Sequence, residues 1–371
     1  MNTTDKVLLP AHGGQLRQIA ERYGVPVEQL LDFSANINPA GPPPSVLIAL
    51  HRALANLTTL TAYPDLELTE LKVFLASRAG VHRENIGVAN GFVPLLEAAL
   101  RSLKIERCLL PIPCFSEYRR TLENVGVAVF PHPLLEEKGF QYEPDALVQA
   151  LLNRSCDAIL LANPQNPSGA LLEAEPMRKL IEQATRHNIT VLLDEAFIDY
   201  CPADSFIHEA AEHSKLIVLR SVKKFFAIPG LRVAYTVSSA SITKSLNRSL
   251  PPWPVTSLVS DAVCAALQDE IYAKESRSEN ERQRTWLAER LERLGIATCW
   301  SSTNFLLLRF PAEVNVRLLW ERLIAEQQVV LRSCENFEGL APGHLRIAVR
   351  SEPENYRLIR SLEQLLLSMT E

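Results

Sequence analysis

The sequence has no C-x-x-C pair and no Cys/His spacing of the zinc-binding kind. Its seven cysteines, at 108, 114, 156, 201, 264, 299 and 334, are odd in number and scattered. That distribution reads as reduced thiols rather than a disulfide framework. No apolar run approaches the roughly 18 residues a membrane span needs. The start, MNTTDKVLLPAHGG, lacks the apolar core of a signal peptide. The expectation is a soluble cytoplasmic protein with no membrane partner. There is no Lys/Arg-rich block, and the formal net charge is -5, which argues against nucleic acid as a partner. No G-x-G-x-x-G follows the first strand-like run and no G-x-x-x-x-G-K-[ST] occurs anywhere, so dinucleotide and P-loop readings lack their phosphate cradle. Internal repeats and low-complexity tracts are missing too.

What is present is a long chain, 371 residues at 47% hydrophobic content, enough for one large domain and a smaller companion. Short runs rich in Val, Ile and Leu recur at 86–90, 107–112, 127–130, 158–163, 190–197, 215–221 and 232–238. Segments of helical spacing, such as EPMRKLIEQATRHN, lie between most of them. Near-continuous apolar strands alternating with helices predict an α/β fold with a seven-stranded, mostly parallel sheet covered on both faces. The segment PPWPV (251–255) breaks the alternation. Beyond it, charged helical stretches and the strand-like NFLLLRF, VVLRS and HLRIAVR predict a smaller α+β unit. The expected division is an arm over 1–45 associated with the small domain, a large domain over 46–250 and a small domain over 251–371.

In a sheet of this kind ligands sit beyond the carboxyl ends of the strands. Asn90-Gly91, Pro113-Cys114-Phe115, NPQNPSG (163–169), Asp194 and SVKK (221–224) all fall there. Together they supply an amide, an aromatic ring, a carboxylate, hydroxyls and a lysine. That inventory suits pyridoxal phosphate, which needs a lysine for its Schiff base and a carboxylate against its ring nitrogen. In SVKKFFAIPG two adjacent lysines stand in an apolar setting that disfavours an ammonium, and either is a candidate amine.

The motifs NPQNPSG, LLDEAF and RSVKKFFAIPGLR resemble those of the fold-type I pyridoxal-phosphate enzymes. Within these, the branch holding histidinol-phosphate aminotransferases and threonine-phosphate decarboxylases of cobalamin synthesis is similar over nearly the whole chain. AHGG, LLDFSANINPAG, AIPGLR and VLRSCENFEGL look most like the decarboxylases.

The resemblance implies roles residue by residue. The family pattern places a Ser three residues before the Schiff-base lysine and an Arg eight after it. Ser221 and Arg232 meet that count for Lys224, and both would bind the cofactor phosphate. Lys223 stands where Thr or Ser is usual; it is expected to be a solvated neighbour, the alternative being a second cation near the phosphate. Asp194 would pair with the ring nitrogen and Phe115 would stack on the ring. Phe197 replaces the tyrosine usual in the aminotransferases, which leaves Asn166 as donor to the phenolic oxygen. The turn NGFVP lacks the family's acidic and hydroxyl residues, so backbone N–H groups of Gly91, Phe92 and Val93 are expected to meet the phosphate. Tyr63 resembles a tyrosine that reaches the phosphate of a partner subunit, implying a homodimer with shared sites. Arg346 lies where the family binds the α-carboxylate. His12, Asn36, Arg332 and Arg350 are candidates for the substrate's anionic groups.

The implied reaction is decarboxylation of L-threonine O-3-phosphate to (R)-1-amino-2-propanol O-2-phosphate, the linker of the cobalamin nucleotide loop. L-serine O-phosphate, giving ethanolamine phosphate, is an open alternative, because a single methyl group is worth only about 1–3 kcal/mol in a pocket. The rival readings are transamination of histidinol phosphate and a non-catalytic binding protein on the same fold.

Overall fold

A computed structural model describes Pro10 and residues 12–370. Nine residues of the expected arm, and Ala11 of AHGG, lie outside the described residues. The chain forms two compact units. One is Ile37–Glu279 with Trp300–Thr303; the other comprises residues up to Asn36, Asn280–Cys299 and the chain from Asn304 on.

The first unit is built on a seven-stranded sheet. Its spatial order is Ile86–Ala89, Ala234–Val237, Leu216–Arg220, Thr190–Asp194, Ala158–Ala162, Arg107–Ile112 and Ala128–Pro133. All pairings are parallel except those of Ala234–Val237, which runs antiparallel to both neighbours. The central strands are buried on both faces, which is why they read as unbroken apolar runs. The edge strand Ala128–Pro133 is only partly covered and carries Pro131 and Pro133, residues that cannot extend a ladder and so suit an edge.

The unit boundaries fall at 36/37 and 279/280, whereas the sequence placed them at 45/46 and 250/251. PPWPV does interrupt the chain, but it does not end the unit. The helix Ser257–Gln268 after it packs on the helix Pro44–Ala55, and Ser45 Oγ donates to the carbonyl of Ala265 at 3.2 Å. Tertiary packing joins two segments some 200 residues apart, which no local breaker signal reports.

In the second unit an antiparallel sheet runs in the order Arg332–Ser333, His344–Ala348, Phe305–Arg309, Ala297–Thr298. A separate parallel pair joins Leu31–Asp32 to Val329–Val330, so the segment before SANIN is tied to this unit by backbone hydrogen bonds. Phe33, Leu308, Trp320, Leu323, Ile347 and Leu358 form its core, and Trp320 Nε1 donates to the carbonyl of Leu331 at 2.8 Å. Among the described residues no helix is long and apolar enough to cross a membrane.

Candidate active site

Strand direction gathers the site of the first unit. Four of the parallel strands and Ile86–Ala89 deliver their following residues to one edge of the sheet. Because Ala234–Val237 is antiparallel, its beginning lies at that same edge: Ala234 stands opposite Ala89 and Tyr235 opposite Arg220. Arg232, two residues earlier, is thereby brought to the turn after Ala89. Gly91 has φ 95°, and a Cβ there would meet Arg232 Nη2 at 2.9 Å. The left-handed backbone favours glycine here, and a side chain would also push the Arg232 guanidinium aside.

Ser221 follows the strand Leu216–Arg220. It is 3% exposed, and its Oγ has no hydrogen-bond partner among the described residues. A buried, unsatisfied hydroxyl costs about 1–3 kcal/mol, a cost that an anionic ligand on Ser221 removes. The turn itself supplies fewer donors than the sequence reading expected. The Gly91 N–H is already bonded to the Ala89 carbonyl at 2.8 Å, a correction to its expected role. Pro94 has no N–H. Phe92 and Val93 open the helix Phe92–Ser102, where N–H groups lack intrahelical acceptors.

Asp194 closes the central strand Thr190–Asp194 and is buried. Its Oδ2 accepts a hydrogen bond from the Tyr118 hydroxyl, and its Oδ1 accepts one from the Ala196 N–H at 2.8 Å. Burial pushes its carboxyl up to about 6, against the opposing pull of these two donors and of the Lys223 cation. Tyr118 was not found from the sequence. It lies one helical turn after Phe115 in the helix Ser116–Asn124, and that i, i+3 spacing was its only signal. Its ring meets Phe115 edge-on, with centroids 5.6 Å apart.

The NPQNPSG loop is held by its own amides. The Asn163 N–H donates to the Asp194 carbonyl at 2.9 Å, and Gln165 Nε2 donates to the Pro113 carbonyl at 2.6 Å. Asn166, half-buried, is carried on this braced loop beside Asp194. Phe197 is buried three residues after Asp194 and brings no hydroxyl.

The double lysine sits in a clamped turn. The Lys224 carbonyl accepts the Asn38 N–H at 3.1 Å, and the Lys223 carbonyl accepts that of Ile228 at 3.0 Å. Asn38 Nδ2 donates to the Phe225 carbonyl and to Ser276 Oγ, both at 2.9 Å. Phe225 and Phe226 are buried in an aromatic cluster with Tyr200 and Tyr272, so the apolar half of SVKKFFAIPG anchors the turn. Lys223 is not the solvated neighbour expected. Burial, and next the Arg232 cation, push its ammonium down, while Asp194 pulls it up. Immediately beside Asp194 and Ser221, Arg220 joins Glu195 at 3.2 Å and Asp199 at 2.7 Å, a buried ion network that fixes the two strand ends relative to each other.

Tyr63 is 83% exposed, with its ring stacked on Trp253 at 4.9 Å.

The remaining candidates belong to the second unit. Arg332 and Arg346 are directly opposite in adjacent strands, and both are buried. Burial pushes both guanidiniums down, and for Arg346, which reaches about 10, the Arg332 charge adds to it. Both lie over the Phe337 ring, at 5.2 and 5.9 Å. Arg332 also donates to the Pro10 carbonyl at 3.4 Å and to Asn336 Oδ1 at 2.7 Å, which brings the chain just before His12 onto it. His12 is followed by Gly13, where a Cβ would meet the Ser34 carbonyl oxygen at 2.0 Å. That close approach packs Gly13 of AHGG directly against the start of SANIN. Asn36 is buried with its Oδ1 unsatisfied. Arg350 is already engaged by Glu354 at 2.6 Å.

The first unit's donor set fits pyridoxal 5'-phosphate: an unsatisfied hydroxyl and a guanidinium at a helix start, a buried carboxylate held by a phenol, and a lysine turn between them. Residues 28–362 match the model of the family aminotransferase class I and II. The chain is 35% identical to threonine-phosphate decarboxylase of Salmonella typhimurium over 96% of each chain. Among solved structures it resembles L-threonine-O-3-phosphate decarboxylase from Porphyromonas gingivalis, with a TM-score of 0.79 and 25% identity over 90% of this chain and 98% of that one. It also resembles histidinol-phosphate aminotransferase from Clostridium acetobutylicum, with a TM-score of 0.84 and 28% identity over 91% and 99%. With the motif spacing, the sheet topology and the site chemistry in agreement, the chain belongs to the class I and II aminotransferase family, and its cofactor is pyridoxal 5'-phosphate.

Proposed function

We propose that the protein is a carbon–carbon lyase that decarboxylates L-threonine O-3-phosphate, releasing (R)-1-amino-2-propanol O-2-phosphate for the cobalamin nucleotide loop. The observation that carries this reading is the buried cross-strand pair Arg332 and Arg346. Two guanidiniums on facing positions of adjacent strands present paired donors suited to a ligand with two anionic groups. A carboxylate and a phosphate on one small amino acid meet that demand. The 35% identity to the Salmonella enzyme supports the same substrate class.

When bound, the cofactor supplies a protonated ring that takes up the electron pair of the bond broken at Cα. The residues around it then divide the work. Lys224 would hold the cofactor through its amine and, with that amine free, would be the acid that gives a proton to Cα. Asp194 holds the ring-nitrogen proton, and Tyr118 orients its carboxylate. Ser221, Arg232 and the N–H groups of Phe92 and Val93 take the cofactor phosphate. Phe115 supplies an apolar face to the ring, and Asn166 donates to the phenolic oxygen. Arg346 binds the substrate carboxylate, with Arg332, His12 and Asn36 serving its phosphate. Arg350, paired to Glu354 through one nitrogen, is a further candidate for the substrate's anionic groups.

The functional species is proposed to be a homodimer. Leu47, Ile48, Leu54, Leu57 and Leu60 are all exposed on or between the helices Pro44–Ala55 and Thr58–Thr61, shortly before Tyr63 in the chain. A second copy would cover them and carry Tyr63 to the partner's phosphate site. Sedimentation of the purified protein as a monomer at micromolar concentration contradicts this.

A second reading, transamination of histidinol phosphate, is favoured by the likeness to the Clostridium structure. A parallel assay separates the two. Threonine phosphate, serine phosphate, and histidinol phosphate with 2-oxoglutarate are supplied to the same preparation, and carbon dioxide and product amines are measured. Carbon dioxide from threonine phosphate supports the lyase. No carbon dioxide, with histidinol phosphate consumed, refutes it. A preparation that acts on none of the three leaves a non-catalytic binding role.

A further inference from the structure

The turn that receives the cofactor phosphate is short of donors. Asn90-Gly91-Phe92-Val93-Pro94 has no hydroxyl side chain; the Gly91 N–H is spent on the Ala89 carbonyl and Pro94 has none. What remains from this turn is the backbone N–H groups of Phe92 and Val93 and the side-chain amide of Asn90, none of them charged. Across from it, Ser221 Oγ is buried and unsatisfied, and Arg232 lies against Gly91. Arg232 is held at φ 50°, a left-handed backbone that a non-glycine residue keeps only where its surroundings fix it.

Lys223 stands two residues after Ser221, at the position where the related pattern carries a hydroxyl. Its half-buried side chain interacts with two charges of the site, the Arg232 guanidinium and the Asp194 carboxylate. Two cations brought together at the edge of the sheet repel unless an anion lies between them. Asp194 would be taken up by the ring nitrogen of bound cofactor, which would leave Lys223 for the phosphate.

We propose that Lys223 is a phosphate anchor for the cofactor, supplying with Arg232 the positive charge that the donor-poor turn 90–94 lacks. This rests on the reading that Lys224 is the lysine bonded to the cofactor. A lysine here adds a full charge and a charge-assisted hydrogen bond where a threonine offers one neutral donor. Three consequences follow for binding: tighter cofactor retention, a steeper salt dependence of that retention, and affinity of the cofactor-free protein for inorganic phosphate.

The test uses cofactor-free wild-type protein, Lys223→Thr, Lys223→Arg and Lys224→Ala. Each is titrated with pyridoxal 5'-phosphate and with pyridoxal, which lacks the phosphate, by intrinsic fluorescence. Lys223→Thr is expected to weaken pyridoxal 5'-phosphate about tenfold or more, leave pyridoxal unchanged, and keep the visible absorbance of covalently held cofactor. Lys223→Arg is expected to restore most of the loss. Inorganic phosphate should raise the melting temperature of the wild type more than that of Lys223→Thr. Equal cofactor affinity in wild type and Lys223→Thr overturns the proposal, as does an equal loss for both ligands, which marks a structural role. If instead Lys223→Thr loses the visible absorbance and Lys224→Ala keeps it, the assignment of Lys224 is what fails.

Discussion

Replacing Asp194 with Asn in the cofactor-free protein changes the pH dependence of stability by an amount that follows from the site. Burial lifts this carboxyl from its ordinary 3.8 to about 6. Between those values the folded protein keeps a proton that the unfolded chain has released. Stability therefore falls as pH rises through the window and stays lower above it. About two pH units at about 1.4 kcal/mol each give a penalty of about 3 kcal/mol at neutral pH. Asn carries no such penalty. It loses one of two accepted hydrogen bonds, from Tyr118 or from the Ala196 N–H, at about 1 kcal/mol independent of pH. The variant should be about 1 kcal/mol less stable than wild type near pH 4 and about 2 kcal/mol more stable at pH 7. Urea unfolding of both proteins across this range reads the difference directly, and carboxylates common to both cancel. Saturation with pyridoxal 5'-phosphate should reverse the order at pH 7, because the ring-nitrogen proton gives the wild-type carboxylate a charged partner. A stability difference that stays constant from pH 4 to pH 7 refutes the reasoning, since the carboxylate would then not be desolvated in the folded protein.

Three further outcomes are expected. Tyr118→Phe removes a donor that holds the Asp194 carboxylate ionised, so it should extend the pH-dependent loss of stability to higher pH, measured in the same unfolding series. Glu195→Gln leaves Arg220 with Asp199 as its remaining carboxylate; removing one partner of a buried pair costs about 3 kcal/mol, checked by urea unfolding at pH 7. Arg346→Lys keeps the charge but loses the planar fork that grips a carboxylate. It should raise KM for threonine phosphate about tenfold or more while leaving cofactor affinity, read by fluorescence titration, at the wild-type value.

The strands were legible because residues such as Ile159, Leu160 and Leu161 are buried on both faces, which forces an apolar run. The ends of those strands were legible for the same reason, and with them Asp194 and Ser221. Tyr118 was not legible, because its partner Asp194 lies 76 residues away and an amphipathic helix carries many tyrosines with no such role. The committed Gly91 N–H escaped notice because a backbone bond between residues 91 and 89 leaves no trace in residue type. Lys223 was misread as solvated because a sequence shows that two lysines are adjacent, and not which groups surround each side chain.

By itself the sequence determined the class of fold, the pyridoxal-phosphate motif set and the residues most worth examining, since burial periodicity and short-range spacing are written along the chain. The tertiary structure alone decided that Ala234–Val237 runs backwards and so delivers Arg232 to Gly91. It also decided that Tyr118 reaches Asp194, that Arg332 stands opposite Arg346, and that Lys223 interacts with both Arg232 and Asp194. Each of these joins groups far apart in sequence, or turns on which way a side chain points, and a linear pattern of residue types encodes neither.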